Sequence, residues 1–180
     1  MRAVLDANVI VSAVGWPTGP PRRLVELHAQ GAFELVVSPK LIGELEAVLN
    51  RPHLLSRIAG SIDDFLIRLC KQAVLLNDIP TPGTRRLSDP DDEYLVDLAT
   101  NAKCPLVSGD RAVLALVDDL PVYSPRAFLE LLEETGHSRF SDSLPTNLTR
   151  SRFEVLLERA RQQTRRELLT LDENALSPLR

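Results

Sequence analysis

The sequence predicts an α/β domain in which helices cover both faces of a parallel sheet. Three observations support this prediction. Short apolar runs alternate with helical patterns along residues 1–135, as they do where strands are joined by crossover helices. The runs are continuously apolar, which is typical of strands buried on both faces. Acidic residues stand where strands end or helices begin, and in an open parallel sheet those positions share one edge.

Five apolar segments are predicted to form the strands. The first is followed at once by Asp6, and its apolar character predicts a central strand. The third follows directly on a helical pattern, so we expect it to be short. The predicted strands cover residues 3–5, 33–37, 74–76, 105–108 and 122–123.

Capping and turn residues predict where the helices begin and end. Glycine and proline make residues 15–21 a rigid, helix-breaking loop, and Gly31 ends the helix that follows it. Ser38 and Asp89 are predicted N-caps, each followed by a proline that suits the first helical position. The predicted helices cover residues 8–14, 22–30, 53–59, 62–75, 89–102, 111–116 and 124–134, with a further helix from residue 39 onward.

The chain is predicted to continue beyond this domain in two units. Residues 1–135 form the domain, residues 136–150 are a polar, turn-rich linker, and residues 151–180 are a helical C-terminal extension. Apolar side chains recur in the extension at spacings of three and four residues. This stripe needs a partner surface, either on the domain or on another subunit.

Composition argues against several classes of protein. No apolar run is long enough for a transmembrane helix, and Asp6 interrupts the N-terminal segment too early for a signal peptide. We therefore expect a cytoplasmic protein with no membrane partner.

Cys70 and Cys104 lack metal or redox spacing and are expected to be buried free thiols. The net charge of −4 disfavours general nucleic-acid binding, but a local basic patch can still hold a phosphate backbone.

Four acidic residues far apart in the chain form the candidate site. Asp6 and Asp110 follow apolar runs, and Glu44 and Asp92 lie near the start of helical patterns. Because these positions share one sheet edge, we expect their carboxylates to converge, and they repel one another unless a cation lies between them. Hard oxygen ligands suit Mg²⁺ or Mn²⁺. The sequence therefore predicts a metal-dependent enzyme whose substrate carries phosphate.

The segments around these acids are similar to those of a known family. DANVIVSA, SPKLIGELEAVL, DPDDEYLVDLA and LVSGD, in this order, resemble the PIN domain over residues 2–134, with the greatest likeness to the VapC-like toxins of bacterial toxin–antitoxin pairs. The resemblance implies a three-layer fold with a central, mostly parallel five-stranded sheet in the order 3-2-1-4-5. It also implies a Mg²⁺- or Mn²⁺-dependent endoribonuclease that acts on RNA, forms a homodimer or higher oligomer and pairs with a cognate antitoxin.

The resemblance also assigns roles to individual positions. Asp92 is matched to the third family acid because Ala99 then occupies the small helix position that follows it. Ser108 stands where the family often has threonine and keeps the hydroxyl. Asn8 and Ser12 are the polar positions that accompany the first acid. The implied catalytic and metal-binding residues are Asp6, Glu44, Asp92 and Asp110.

Several polar neighbours keep two interpretations. Asn8 either supports the site beside Asp6 or caps the next helix, and Ser12 either touches a phosphate or caps. Asp91 replaces Asp92 if the register shifts by one residue. Asp89 is best explained as a helix cap.

The aromatic and basic residues are less specific. Trp16 either stacks on a base or anchors its loop by packing, and packing is the commoner role. The three histidines show no ligand spacing. Basic side chains that could hold phosphates near the acidic edge, or could simply be surface charges, are Arg22, Arg23, Lys40 and Arg111.

The leading hypothesis is hydrolysis of an RNA phosphodiester bond. Asp6, Asp92 and Asp110, with Glu44 directly or through water, would hold one or two divalent ions. The alternative is a catalytically silent PIN module that binds RNA or a partner protein. A phosphatase of the haloacid dehalogenase type is disfavoured because Asn8 stands where that class needs a second aspartate.

Overall fold

A five-stranded parallel sheet forms the centre of the structure, a computed structural model that describes residues 1–58, 60–81, 87, 90–116 and 120–134. All neighbouring strands pair in parallel, in the order β3-β2-β1-β4-β5. The predicted α/β class is confirmed, and so is the strand order that the family resemblance implies. The strands are β1 (Arg2–Leu5), β2 (Glu34–Val37), β3 (Val74–Leu75), β4 (Leu106–Val107) and β5 (Val122–Tyr123).

Helices connect these strands. Right-handed crossovers that run in opposite directions from the central strand place their helices on opposite faces of the sheet. The connections from β1 to β3 run one way, and those from β3 through β4 to β5 run the other. The helices found in the described ranges are α1 (Ala7–Gly15), α2 (Pro20–Ala29), α3 (Pro39–Leu49), α4 (Pro52–Leu55), α5 (Ile62–Cys70), α6 (Glu93–Ala102), α7 (Arg111–Leu114) and α8 (Pro125–Glu134).

The central strand β1 fixes the position of the candidate site. Val4 pairs with Val36 on one side and with Leu106 on the other, and all three side chains are fully buried. Helix α6 packs across β1, β2 and β4, while α1, α2, α3 and α5 contact one another in a second group. The carboxyl end of β1 therefore opens at the middle of one sheet edge, flanked by elements on both sides.

Helix α2 starts earlier than predicted. Residues 15–21 are predicted as a helix-breaking loop, but α2 begins at Pro20. Proline is well tolerated in the first turn of a helix because the N–H it lacks has no intrahelical partner there. The preceding Gly19 has a φ of 109°, which lets the chain turn sharply into the helix.

Four other helices are shorter than predicted, and one of them, α7, ends at Leu114 rather than at residue 116. α6 begins at Glu93 rather than at residue 89, and Asp89 itself lies outside the described residues. α5 ends at Cys70, because the chain must leave the helix before it enters β3. α4 ends at Leu55, well before the predicted end at residue 59.

The remaining predictions about organisation have mixed outcomes. The predicted linker, residues 136–150, and the helical extension, residues 151–180, lie outside the described residues. Cys70 and Cys104 are buried free thiols, as predicted, and burial raises the pKa of Cys104 to about 11. Within the described residues no helix is both long and apolar enough to cross a membrane.

The last described helix should contribute strongly to stability through Phe128. Its fully buried ring meets Phe33 edge to face, with ring centroids 5.4 Å apart. We expect Phe128→Ala to lower the free energy of unfolding by about 3–5 kcal/mol, because it leaves a cavity in a packed core. Urea denaturation measures this, with Ile79→Ala as the control at a residue that is 58% exposed. Equal losses in the two variants would mean that α8 is not part of the cooperative unit.

Candidate active site

Asp6 is the most deeply buried acid of the predicted set. It directly follows β1 and is 4% exposed. One carboxylate oxygen accepts the backbone N–H of Asn8 at 2.8 Å, so Asp6 also caps α1. The other accepts the Ser108 hydroxyl at 2.5 Å. These donors, together with the N-terminus of α1, compensate the carboxylate for the water it has lost.

Ser108 joins two neighbouring strand ends. Its side chain is fully buried after β4, where it donates to Asp6 and accepts the backbone N–H of Asp110 at 3.0 Å. The Ser108 hydroxyl therefore links the Asp6 carboxylate to the backbone N–H of Asp110, which is far from Asp6 in the sequence. Sequence reasoning placed Ser108 beside the site, and the structure gives it a specific contact there.

Asp110 is exposed and caps the short helix α7. One carboxylate oxygen accepts the backbone N–H groups of Ala112 and Val113, at 2.6 and 3.3 Å. Asp110 therefore also has a local structural role. Only one of the two carboxylate oxygens takes part in these capping bonds. Arg111 follows it, exposed, as the first residue of α7.

Glu44 lies half-buried on α3, on the side that the apolar pattern leaves free. The phenol of Tyr94 donates a hydrogen bond to it at 2.5 Å. Burial raises the pKa of Glu44, and the nearby carboxylates of Asp6 and Asp92 raise it further. The Tyr94 hydrogen bond and the Lys40 ammonium act in the opposite direction, and the net shift is upward. Glu44 is thus in electrostatic contact with two other predicted site acids.

Asp92 occupies the N-cap position of α6 without using its side chain to cap the helix. Of the two adjacent acids, Asp91 is exposed and Asp92 is half-buried. The charge of Asp92 raises the pKa of Glu44. This arrangement favours Asp92 over Asp91 as the site residue.

Tyr94 is the residue that sequence reasoning missed. It lies in the first turn of α6, is buried, and holds Glu44 through its hydroxyl. The Lys40 ammonium lies 4.7 Å from the centre of its ring, which brings a cation to the acidic edge. A signal was present in the sequence, because a tyrosine at a core-facing helix position needs a partner for its hydroxyl.

The other predicted neighbours are less involved. Asn8 and Ser12 are exposed on α1, and Asn8 contacts Asp6 through its backbone. Arg22 pairs with Glu26 on α2 at 3.0 Å. Trp16 is 65% exposed, which disfavours packing within its loop, the commoner of its two predicted roles.

The arrangement combines three coupled carboxylates with a fourth acid, Asp110, that is joined to them through its backbone N–H. Asp6, Glu44 and Asp92 are electrostatically linked, and Ser108 connects Asp6 to Asp110. In the described part of the chain, no three His, Cys, Asp or Glu side chains are grouped closely enough to form a ready metal site. The donors are nevertheless all carboxylate oxygens, the type that Mg²⁺ and Mn²⁺ prefer.

Comparison with known proteins agrees with this architecture. Residues 2–112 match the PIN domain family. An uncharacterized protein of Methanocaldococcus jannaschii is 24% identical over 146 residues, which cover 74% of this chain and 93% of that protein. No solved structure matches the chain.

The Ser108 hydroxyl should stabilise the fold as well as the site. Ser108→Ala leaves the buried Asp6 carboxylate with one donor fewer, so we expect the free energy of unfolding to fall by about 1.5–3 kcal/mol at pH 7. Ser108→Thr keeps the hydroxyl and should lose much less. Chemical denaturation of the two variants distinguishes them. A similar loss in both would show that the shape of the site matters, rather than the hydrogen bond.

Glu44 should make stability depend on pH. Its pKa in the folded state lies above the ordinary value of 4.5, so ionising it weakens the fold. Glu44→Gln keeps an acceptor for Tyr94 without the charge, and we expect it to be more stable than the wild type at pH 7 in EDTA. The difference should shrink as the pH falls through the raised pKa and vanish below about 4.5, where Glu44 is neutral in both states.

Thermal denaturation between pH 8 and pH 4 tests this expectation. Glu46→Gln, on the same helix, controls for the general effect of removing one negative charge from α3. A Glu44→Gln variant that is less stable than the wild type at pH 7 would contradict the proposed cause.

Proposed function

This chain belongs to the PIN domain family, and from that membership we propose that it is a metal-dependent endoribonuclease, the toxin of a toxin–antitoxin pair. PIN domains are typically nucleases, which hydrolyse phosphodiester bonds. The observation that carries the proposal is the coupling of Glu44 with Asp6 and Asp92 at the carboxyl edge of the sheet. Clustered carboxylates that shift one another's pKa values are typical of functional sites.

Asp6, Glu44, Asp92 and Asp110 are the proposed ligands of Mg²⁺ or Mn²⁺. Their fit to a cation rests on chemistry, since all are hard oxygen donors and two of them raise the pKa of Glu44. A divalent ion bound there would lower the pKa of a water molecule and offset the charge that develops on the phosphate.

The side chains around these acids have positioning roles in this proposal. Tyr94 holds the Glu44 carboxylate in one place, and Ser108 keeps Asp6 and Asp110 in a fixed relation. Lys40, beside Tyr94, offers a positive charge to a phosphate oxygen of the substrate. Water attacks phosphorus as the bond to the 3′ oxygen breaks, which leaves a 5′-phosphate and a 3′-hydroxyl.

Activity is tested with the full chain and single-stranded RNA in Mn²⁺, in Mg²⁺ and in EDTA. We expect cleavage in either metal and none in EDTA, and Asp92→Asn should reduce the rate at least a hundredfold, because it removes a charge from the metal-binding set. Asp63→Asn is the matched control, since Asp63 is an exposed acid in the first turn of α5. It should cleave like the wild type.

Two results would redirect the proposal. A wild type that binds Mn²⁺ in calorimetry and binds RNA without cleaving it would support the silent RNA-binding module. Cleavage that persists in EDTA, or at full rate in Asp92→Asn, would remove the carboxylate set from the mechanism.

The toxin role implies a protein partner and self-association. A cognate antitoxin would present a cation, such as an arginine, to the acidic edge, since a guanidinium pairs well with carboxylates. The proposed homodimer or higher oligomer is checked by the sedimentation of the full chain.

A further inference from the structure

An exposed tryptophan stands at the end of α1, the helix whose other end is capped by Asp6. Trp16 is the single tryptophan of the chain and is 65% exposed. Its backbone N–H donates to the Ser12 carbonyl at 2.9 Å, so its position still follows the turn of the helix. Large aromatic side chains usually bury much of their area, so an exposed tryptophan is a candidate contact for a ligand.

A line of exposed residues leads from the acidic edge to this tryptophan. Asn8, Ser12 and Trp16 are exposed and lie four residues apart, on one side of α1. The backbone N–H of Asn8 contacts the Asp6 carboxylate, so the line begins at the candidate active site. Eight helical residues span roughly 12 Å, which is within reach of a few nucleotides.

A cation lies directly against this tryptophan. The Arg57 guanidinium lies over the Trp16 ring, 5.5 Å from its centre, and also donates to the Gly15 carbonyl. Residues 47–62 contain Arg51, His53 and Arg57 and no acid, in a chain whose net charge is −4. Residues 7–25, which include α1, also contain no acid. The Arg57 cation at Trp16 thus suits a phosphate backbone better than a basic partner.

We propose that Trp16 and Arg57 form a platform on which a base of single-stranded RNA stacks, while the strand follows α1 to the acidic edge. The inference rests on the proposed function, because it supplies a binding path for the same substrate. Aromatic side chains stack on bases with little regard to sequence, and arginine adds a cation for the backbone. The platform needs unpaired bases, so single-stranded RNA should bind better than a duplex of the same length.

The single tryptophan makes the platform directly observable. We would titrate the full-length Asp92→Asn protein in EDTA with an unlabelled single-stranded RNA and follow Trp16 emission. In parallel, the anisotropy of a labelled copy of that RNA gives its affinity. We expect RNA to quench the emission, Trp16→Ala to weaken binding about tenfold, and Trp16→Phe to retain most of the affinity. Arg57→Gln should weaken binding and reduce its dependence on salt.

Ile79→Ala is the matched control, because Ile79 is another exposed large apolar residue, at 58%. It should bind RNA like the parent protein. Unchanged emission together with unchanged affinity in Trp16→Ala would overturn the platform, and so would failure of the parent protein to bind RNA. Emission that changes with protein concentration, and not with RNA, would overturn it in favour of a contact between proteins.

The two proposals can fail separately. If RNA quenches Trp16 emission and Trp16→Ala weakens RNA binding, but the wild type never cleaves RNA, the platform is supported and the nuclease proposal is contradicted. If the wild type cleaves RNA in the presence of metal but Trp16→Ala binds RNA normally, the nuclease is supported and the platform is contradicted.

Discussion

Burial of the Asp6 carboxylate at the end of the central strand is the constraint on which the other contacts depend. A charge that has lost its water is costly unless hydrogen bonds and favourable dipoles replace that water. Here α1 must begin immediately so that its first N–H groups face the carboxylate. Strand β4 must lie beside β1, since Ser108 follows it and supplies the second donor. The need to stabilise Asp6 thus constrains both the start of α1 after β1 and the position of β4.

The carboxylates at this edge of the sheet are also electrostatically unfavourable to one another. Asp6 and Asp92 both oppose the ionisation of Glu44, and burial opposes it more than either. The fold tolerates this because Tyr94 anchors Glu44 from α6 while Lys40 lies against the tyrosine ring. Locally unfavourable arrangements of this kind are common at functional sites, and the rest of the domain must offset the stability that they cost. The buried apolar sheet beneath the edge supplies that compensation.

Much of this domain could be predicted from sequence because its signals are local. Continuous apolar runs gave the strands, and the Ser38 cap with its proline gave the start of α3. The start of α2 at Pro20 could not be deduced in the same way, because proline both ends helices and begins them. The partnership of Tyr94 with Glu44 joins residues 50 positions apart, so it depends on how α6 and α3 pack. The exposure of Trp16 likewise depends on tertiary packing rather than on its loop sequence.

The long separation between Asp6 and Ser108 has a consequence for biosynthesis. Their hydrogen bond joins residues 102 positions apart, across two adjacent strands of the sheet. Chains are made from the N-terminus, so Asp6 leaves the ribosome well before the strand that completes its surroundings. Closing a loop of this length is among the slower events of folding. A partly synthesised chain therefore carries the first acid without the partner that orients it, and the assembled edge arises only when the sheet closes around β1.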